Sequence, residues 1–282
     1  MGFAAKILAD SLSPDGVRLT TMEVTFPRIV LAEFNTHRML SRNSASSRAI
    51  PVEKRIAAVH ADPFIPAAFG KNQPGMQAST DLLDNEAWWA LQAWKNACEN
   101  ALTFAAELAR LGVHKQLANR LLEPFLWHTV IVSATEWSNF FALRCHKDAQ
   151  PEIRTVAVMM RDALESGSPI SLHRGHWHLP LVDAEEIGDQ NRVGSIEFWK
   201  KVSVGRCARV SVLTHDGKRD LVADVELCER LQVAGHMSPF EHVARPLERV
   251  DAAHTFCGNF RGWVQYRKEL PHEDDFSRIP SP

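Results

Sequence analysis

The stretch Asn35-Thr36-His37-Arg38-Met39-Leu40-Ser41-Arg42-Asn43-Ser44-Ala45-Ser46-Ser47-Arg48 holds one imidazole, three guanidiniums, two carboxamides and several hydroxyls in fourteen residues. Beyond Met39 and Leu40 it has almost no apolar content. Buried donors need partners, so a segment this polar is not expected to form a core strand or core helix. It reads as a surface for an anionic, acceptor-rich ligand. Phosphate fits, because guanidinium forks match it and Ser hydroxyls and backbone N–H groups complete a cradle. From composition alone a second reading stays open: a solvated loop after a helix, with Arg and Ser there for solubility.

What precedes the stretch positions it. Residues 18–26 alternate and are β-branched, which predicts a strand. Pro27 then suits the first turn of a helix, where its missing N–H is tolerated. Ile29, Val30, Ala32 and Phe34 would supply that helix's buried face. The helix would deliver Thr36, His37 and Arg38 at its C-terminal end and leave Ser41–Arg48 as a loop.

The whole chain sets the wider limits. Its 282 residues, 45% hydrophobic and 23% charged, are those of an ordinary globular protein, long enough for one large domain or two small ones. A net charge of −2 implies no general affinity for nucleic acid or membrane, so the positive charge of the opening stretch is local. That suits a small anion better than a polyanion. No apolar run approaches transmembrane length, and the N-terminus lacks the pattern of a signal peptide. Five widely spaced cysteines without a C-x-x-C pair fit a reducing cytoplasm, with none marked as a nucleophile.

Further along, residues 61–79 are rich in Pro and Gly and read as an irregular connection. Glu86 to Leu111 is the clearest helix, stopped by Gly112, with its tryptophans as core or subunit-interface packing. Phe125–Thr135 reads as a strand or a buried helix. Helices are expected over Glu136–Asp148, Pro151–Leu164, Ser195–Arg209 and Arg219–Ala234. A polar turn at His236–His242 follows, then a strand near Ala244–His254, a helix near Phe260–Leu270 and a tail over 273–282. His173-Arg174-Gly175-His176-Trp177-His178 matches no standard zinc spacing, so a loop with partly buried imidazoles is expected and no metal site. Phe26-Pro27 with its helix and basic end finds an echo in Phe256–Phe260 followed by Trp263–Lys268. Chance explains that echo, and so would two related halves.

Several elements together point to a family. His37-Arg38-x-x-Ser41-x-Asn43-x-x-Ser46-x-Arg48 resembles the Arg-His-Arg-x-x-Ser-x-Asn-Glu-x-Ser-x-Arg signature of the flavin-dependent thymidylate synthases. Ala118–Pro124 is similar to that family's Arg-x-x-Leu-Pro region. Asn139–Arg144 with Ala149–Arg154 resembles its Asn-Phe-x-x-Leu-Arg and Ala-Gln-x-Glu-Ile segment. Cys207–Ser211 and His236–His242 resemble its Ala-Arg-Val-Ser and His-x-Ser-Pro-Phe-Glu-His elements. The order differs: the Ser-Pro-Phe-Glu-His element usually precedes the signature and here lies near the C-terminus, as in a permuted, phage-like arrangement. Thr36 replaces the signature's first Arg, Ser44 its Glu, and Glu33 a Gln; Asp148 replaces a His and Glu123 a Leu.

The resemblance implies a mixed α/β (α+β) single catalytic domain over residues 1–282, assembled as a cytoplasmic homotetramer in a bacterial or phage-infected cell, with FAD between subunits. It implies reduction by NADPH and transfer of a one-carbon unit from methylenetetrahydrofolate to C5 of a pyrimidine deoxynucleotide monophosphate. By position, His37, Arg38, Asn43, Asn139, Ser238 and His242 would line the flavin and folate side. Ser46, Ser47, Arg48, Arg120 and Arg144 would hold the nucleotide, with Ser46, Arg48 and Arg120 on its phosphate and the substituted Glu33 and Ser44 nearby. Arg144, Ser46 and His242 are the expected catalytic set, Arg144 facing charge that develops on a pyrimidine carbonyl. Arg42 or Lys268 would stand in for the Arg lost at Thr36. The leading reaction is dUMP to dTMP. Glu33, as an acceptor for an exocyclic amine, keeps dCMP hydroxymethylation as the alternative, and a non-catalytic flavin- or nucleotide-binding protein is a more remote one.

Overall fold

The structure is a computed structural model that describes residues 2–189, 195–209, 219–248, 252–271 and 273–275. Expectations for Val210-Ser211, for residues 249–251 of the strand and for residues 276–282 of the tail fall outside these.

Nine short strands and nine α-helices are described here, in chain order. They are β1 (Ala4–Leu12), β2 (Arg18–Pro27), α1 (Leu31–Asn35), β3 (Ser41–Ser44), α2 (Val52–Ala61), α3 (Asp84–Arg110), α4 (Lys115–Ala118), β4 (Trp127–Ala134), α5 (Ser138–Arg144) and α6 (Pro151–Ser166). Then come β5 (Ile170–Ser171), α7 (Ala184–Asp189), α8 (Ile196–Ala208), α9 (Leu221–Val233), β6 (Ala244–Pro246), β7 (Phe256–Cys257), β8 (Phe260–Arg261) and β9 (Trp263–Gln265). The main sheet is mixed, in the order β3-β4-β2-β1-β5, antiparallel except where β5 joins β1.

Alternation on β2 and β4 decides what covers each face of this sheet. Met22, Val24 and Phe26 with Val130, Val132 and Ala134 face one side. They pack there with Val30 and Phe34, with Phe140 of α5, and with Ile153, Val156 and Met160 of α6. Within Phe125–Thr135, residues Trp127–Ala134 are thus a strand, paired with β2 along its whole length, and Phe125 ends a 3-10 turn. The opposite face presents Thr21 and Ser133, which bond to each other at 2.6 Å, and Ile131, which packs on Cys207 of α8. A polar sheet face can be buried only when its hydroxyls find partners. Two histidines supply them. His178 bonds Ser11 and Thr21, each at 2.8 Å, and His242 Nδ1 bonds Ser133 at 2.8 Å. His178, placed by sequence in a loop with partly buried rings, is 1% exposed.

The layer carrying these histidines is held by close contact between α8 and α9. A Cβ on Gly205 would lie 2.2 Å from the Asp224 carbonyl oxygen, so only glycine allows this approach. Around it Arg206 is 1% exposed and bonds Asp224 and Glu186.

Three expectations are corrected. Ser41–Ser44 is not loop but an edge strand on β4. Its backbone groups are bonded on one side only, which leaves polar side chains free to turn outward. Residues 260–270 are not a helix: Gly262 takes φ 71°, and the segment breaks into β8, β9 and a short 3-10 turn. The echo between residues 26–38 and 256–268 therefore has no counterpart in structure. The helix after Pro27 is short, a 3-10 turn over Arg28–Val30 and then α1. β1 and α2 were not foreseen. Residues 62–83 carry no helix, only an isolated bridge between Gly70 and Asp81.

Candidate active site

α1 ends in the opening stretch, and the way it ends builds a cleft. The carbonyls of its last turn need donors. Arg42, on β3, supplies them: its Nη1 donates to Asn35 O at 3.0 Å and His37 O at 2.9 Å. Arg42, one of the two residues expected to stand in for the Arg lost at Thr36, is thus engaged as a helix cap. Lys268, the other such residue, pairs with Glu273.

The cleft, about 340 Å³, is lined by Thr36, His37, Arg38, Met39, Leu40, Glu136, Asn139, Phe140, Leu143 and Arg144. His37 is its most constrained polar group. Its ring sits edge-on to Phe140 at 4.9 Å, and its Nε2 accepts from Arg144 Nε at 2.8 Å. That bond assigns the proton of the neutral ring to Nδ1. Burial, then the charges of Arg144 and Arg42, push its pKa down to about 4, so the imidazole is neutral near pH 7. Arg144 also reaches Thr36 Oγ1 at 3.4 Å. Its Nη1 carries no protein bond among the described residues. Arg38 and Asn139 are exposed at the rim. Glu136 is tied by Arg261, which crosses from β8.

A second cluster lies where the stretch leaves β3. Ser46 and Arg48 are exposed in a turn, with Ser46 Oγ accepting from Arg48 N at 3.3 Å. Ser47 is buried and donates to Glu123. Asn119 fixes the turn from below through Ser47 O at 2.7 Å and Ile50 O at 2.9 Å. Arg120 and Arg28 both reach Glu123 at 2.9 Å. Burial would raise the Glu123 carboxyl, but the Ser47 hydroxyl and the two guanidiniums outweigh it and hold the pKa below the ordinary range.

The remaining expected residues sit elsewhere. Asn43 donates to Cys207 O at 2.8 Å and accepts from Ser238 at 3.2 Å, so this pair ties β3 to the layer behind the sheet. His242 is fully buried, its pKa pushed down to about 3 by burial and by neighbouring His178. Asn43, Ser238 and His242 are not part of the cleft lining. Within one copy of the chain they do not share His37's wall, because each is spent on holding the layers together. Ser44 is half-buried opposite Val130. Glu33 is half-buried, with Oε2 out of solvent and unpartnered among the described residues.

Sequence reasoning missed Arg28 and Arg55, and saw Glu123 only as a substitution. Arg55 had a readable signal: with Val52 and Val59 it completes the buried stripe of α2 at helical spacing.

The comparisons agree with the motifs. Residues 17–170 match the family model described as thymidylate synthase complementing protein. The match spans more than half of the chain and contains both clusters. The chain belongs to this family, the flavin-dependent thymidylate synthases, whose members modify nucleotides. Two solved structures are also similar, both of a UMP/dUMP methylase, PolB, from Streptomyces cacaoi. The one bound with 5-Br UMP is 18% identical, covers 57% of this chain and 88% of that chain, and has a TM-score of 0.49. The one bound with 5-Br dUMP is 19% identical, covers 52% of this chain and 65% of that chain, and has a TM-score of 0.44. No curated protein matches the chain in sequence. The described residues include no helix long and apolar enough to cross a membrane.

Proposed function

We propose that the protein transfers a one-carbon unit from methylenetetrahydrofolate to C5 of a pyrimidine deoxynucleotide monophosphate, converting dUMP to dTMP, with FAD as cofactor and NADPH as reductant. The observation that carries this reading is the pairing of two sites on one short segment. His37–Leu40 lines an apolar-floored cleft, and Ser46–Arg48, a few residues on, stands beside Arg120 and Arg28. A heteroaromatic ring and a phosphate need those two environments side by side.

The cleft fits the ring portion of a flavin. Met39, Leu40, Phe140 and Leu143 offer apolar contact, and His37, Asn139 and Arg144 offer polar groups. Its volume is at the low end of the roughly 300–1,000 Å³ of small-molecule sites, so a dinucleotide would extend beyond this wall. A second copy supplies the rest in the homotetramer of this reading. Trp88, Trp89 and Phe104, exposed on α3, are apolar surface of the kind that subunits cover.

When bound, FAD supplies the redox chemistry that turns the folate's methylene into a methyl group. The chain's own residues orient and polarise. Arg144, held by His37, directs its free Nη1 at a pyrimidine carbonyl oxygen as that oxygen gains charge. Neutral His37 offers Nδ1–H. Arg38 takes the flavin's phosphate, which Thr36 no longer can. Ser46, Arg48 and Arg120 take the phosphate of the nucleotide. Asn43 and Ser238 act from behind by fixing β3, and His242 by bonding Ser133 of β4. Glu33 uses its backbone carbonyl for Thr36 and its carboxylate makes no contact in the cleft lining, so nothing in the geometry favours cytosine over uracil.

The reading is tested by adding FAD to the protein and following flavin absorbance anaerobically with NADPH. Retained flavin, bleached by NADPH and reoxidised only when folate and dUMP are both present, is expected. Flavin that bleaches but never responds to any pyrimidine monophosphate would reduce the protein to a binding module.

A further inference from the structure

The cluster around Glu123 goes one step further, and it rests on the assignment of Ser46–Arg48 and Arg120 to the nucleotide phosphate. Glu123 Oε1 accepts from Ser47 Oγ, from Arg28 Nη2 at 2.9 Å and from Arg120 Nη1 at 2.9 Å. These donors come from three separate segments: the turn after β3, the junction after β2, and the 3-10 turn Asn119–Phe125. Three converging donors on one oxygen are how a phosphate oxygen is held.

The charges around this oxygen do not balance. Arg28, Arg55 and Arg120 face one carboxylate, and His128, 3% exposed, adds no negative charge. Arg55 is 9% exposed, and its Nε has no partner among the described residues. Arg28 Nε and His128 Nε2 are unpartnered in the same way. Among the described residues, the Nε donors of Arg28 and Arg55 are out of solvent and idle in this cluster, and an anion with more oxygens than the Glu123 carboxylate would meet them.

We propose that Glu123 is a built-in occupant of an anion seat, standing where an oxygen of the nucleotide phosphate belongs, and that the phosphate displaces it and then draws on Arg28 and Arg55 as well as Arg120. A phosphate monoester, with two charges and three terminal oxygens, can replace the carboxylate and also meet the idle donors. A singly charged acid cannot do both. Glu123 is in this role a specificity-determining residue for a dianionic group.

The test uses the full chain and titrates dUMP, deoxyuridine and inorganic phosphate by calorimetry. Glu123→Gln keeps the size and an acceptor for Ser47 but removes the competing charge. It should bind dUMP and inorganic phosphate about tenfold tighter, a modest share of the Coulomb term between like charges at a few ångströms, with deoxyuridine unchanged. Arg55→Met should weaken both phosphate-bearing probes by a similar factor with circular dichroism unchanged; if it fails to fold, the Glu123→Gln arm decides. Equal or weaker binding of both probes by Glu123→Gln overturns the inference and leaves the nucleotide reading standing. Tighter phosphate binding with no dUMP binding by either protein supports the seat and overturns the nucleotide reading. No binding of either probe by any variant overturns both.

Discussion

At the residue scale the proposed function rests on the pair His37–Arg144. A guanidinium that donates Nε to a neutral imidazole has its plane fixed, and its other nitrogens are aimed before any ligand arrives. Arg144→Met should therefore lower kcat by about 10²- to 10³-fold, the usual effect of losing one donor to developing charge, with flavin retained. The same variant should raise the His37 pKa from about 4 toward its ordinary 6.5, read by imidazole NMR shifts. Burial, the first cause of the depression, would remain, so the rise should be partial. An unmoved His37 would show that Arg144 does not govern its proton. Sequence found these two residues through motif spacing. It could not find their bond, because they lie 107 residues apart, with β3, β4 and the helices α2, α3 and α4 between them, and meet only when α1 and α5 pack on the same face.

At the element scale β3 is the surprise. Ser41–Ser44 is polar enough to predict a loop, yet it pairs with β4 because an edge strand needs ladder bonds on one side only. Its side chains are then used as ties: Ser41 to Asn259 and Gln265, and Asn43 to Cys207 and Ser238. Asn259 is central, since its Nδ2 also donates to Met39 O at 3.1 Å and so fixes the cleft segment. Asn259→Ala should cost about 1–3 kcal/mol in chemical denaturation, the penalty for stranding buried polar partners. It should also raise KM more than it lowers kcat if the cleft loosens. A change below a few tenths of a kcal/mol would mean that water replaces the amide. The long amphipathic elements α3, α6 and α9 were legible from periodicity to within a few residues. The segment 260–270 was not, because its apolar spacing suits a helix while Gly262 takes a positive φ that a helix forbids.

At the scale of the whole molecule, the sheet joins a family-matched half to a C-terminal layer through buried histidines. His128, His178 and His242 each have their pKa pushed down to about 3, chiefly by burial, and His37 to about 4. The unfolded chain, with ordinary histidines near 6.5, binds more protons than the native state throughout the interval between those values. Their contribution is thus complete above about pH 6.5 and is lost as pH falls from there toward 4 and 3. Each such group adds a slope of about 1.4 kcal/mol per pH unit within that interval. Denaturant midpoints should fall steeply between pH 7 and pH 5, and less steeply after replacement of His178 by Gln. A flat profile would mean that these rings are solvated.

Ser238 and His242 arrive from the C-terminal side yet reach β3 and β4, which belong to the matched segment. What could not be read from the sequence is which motif residues line the cleft and which hold the layers. That division depends on the register between β3 and β4 and on the depth of the Thr21–Ser133 face.

The most direct test of nucleotide C5 methylation is the mass of the product. The protein would be incubated with FAD, NADPH and methylenetetrahydrofolate and with dUMP or dCMP in separate reactions. A methyl-sized gain on dUMP, absent without folate and nearly absent in Arg144→Met, is the predicted result. A hydroxymethyl gain on dCMP with dUMP untouched, or no gain on either, would contradict it.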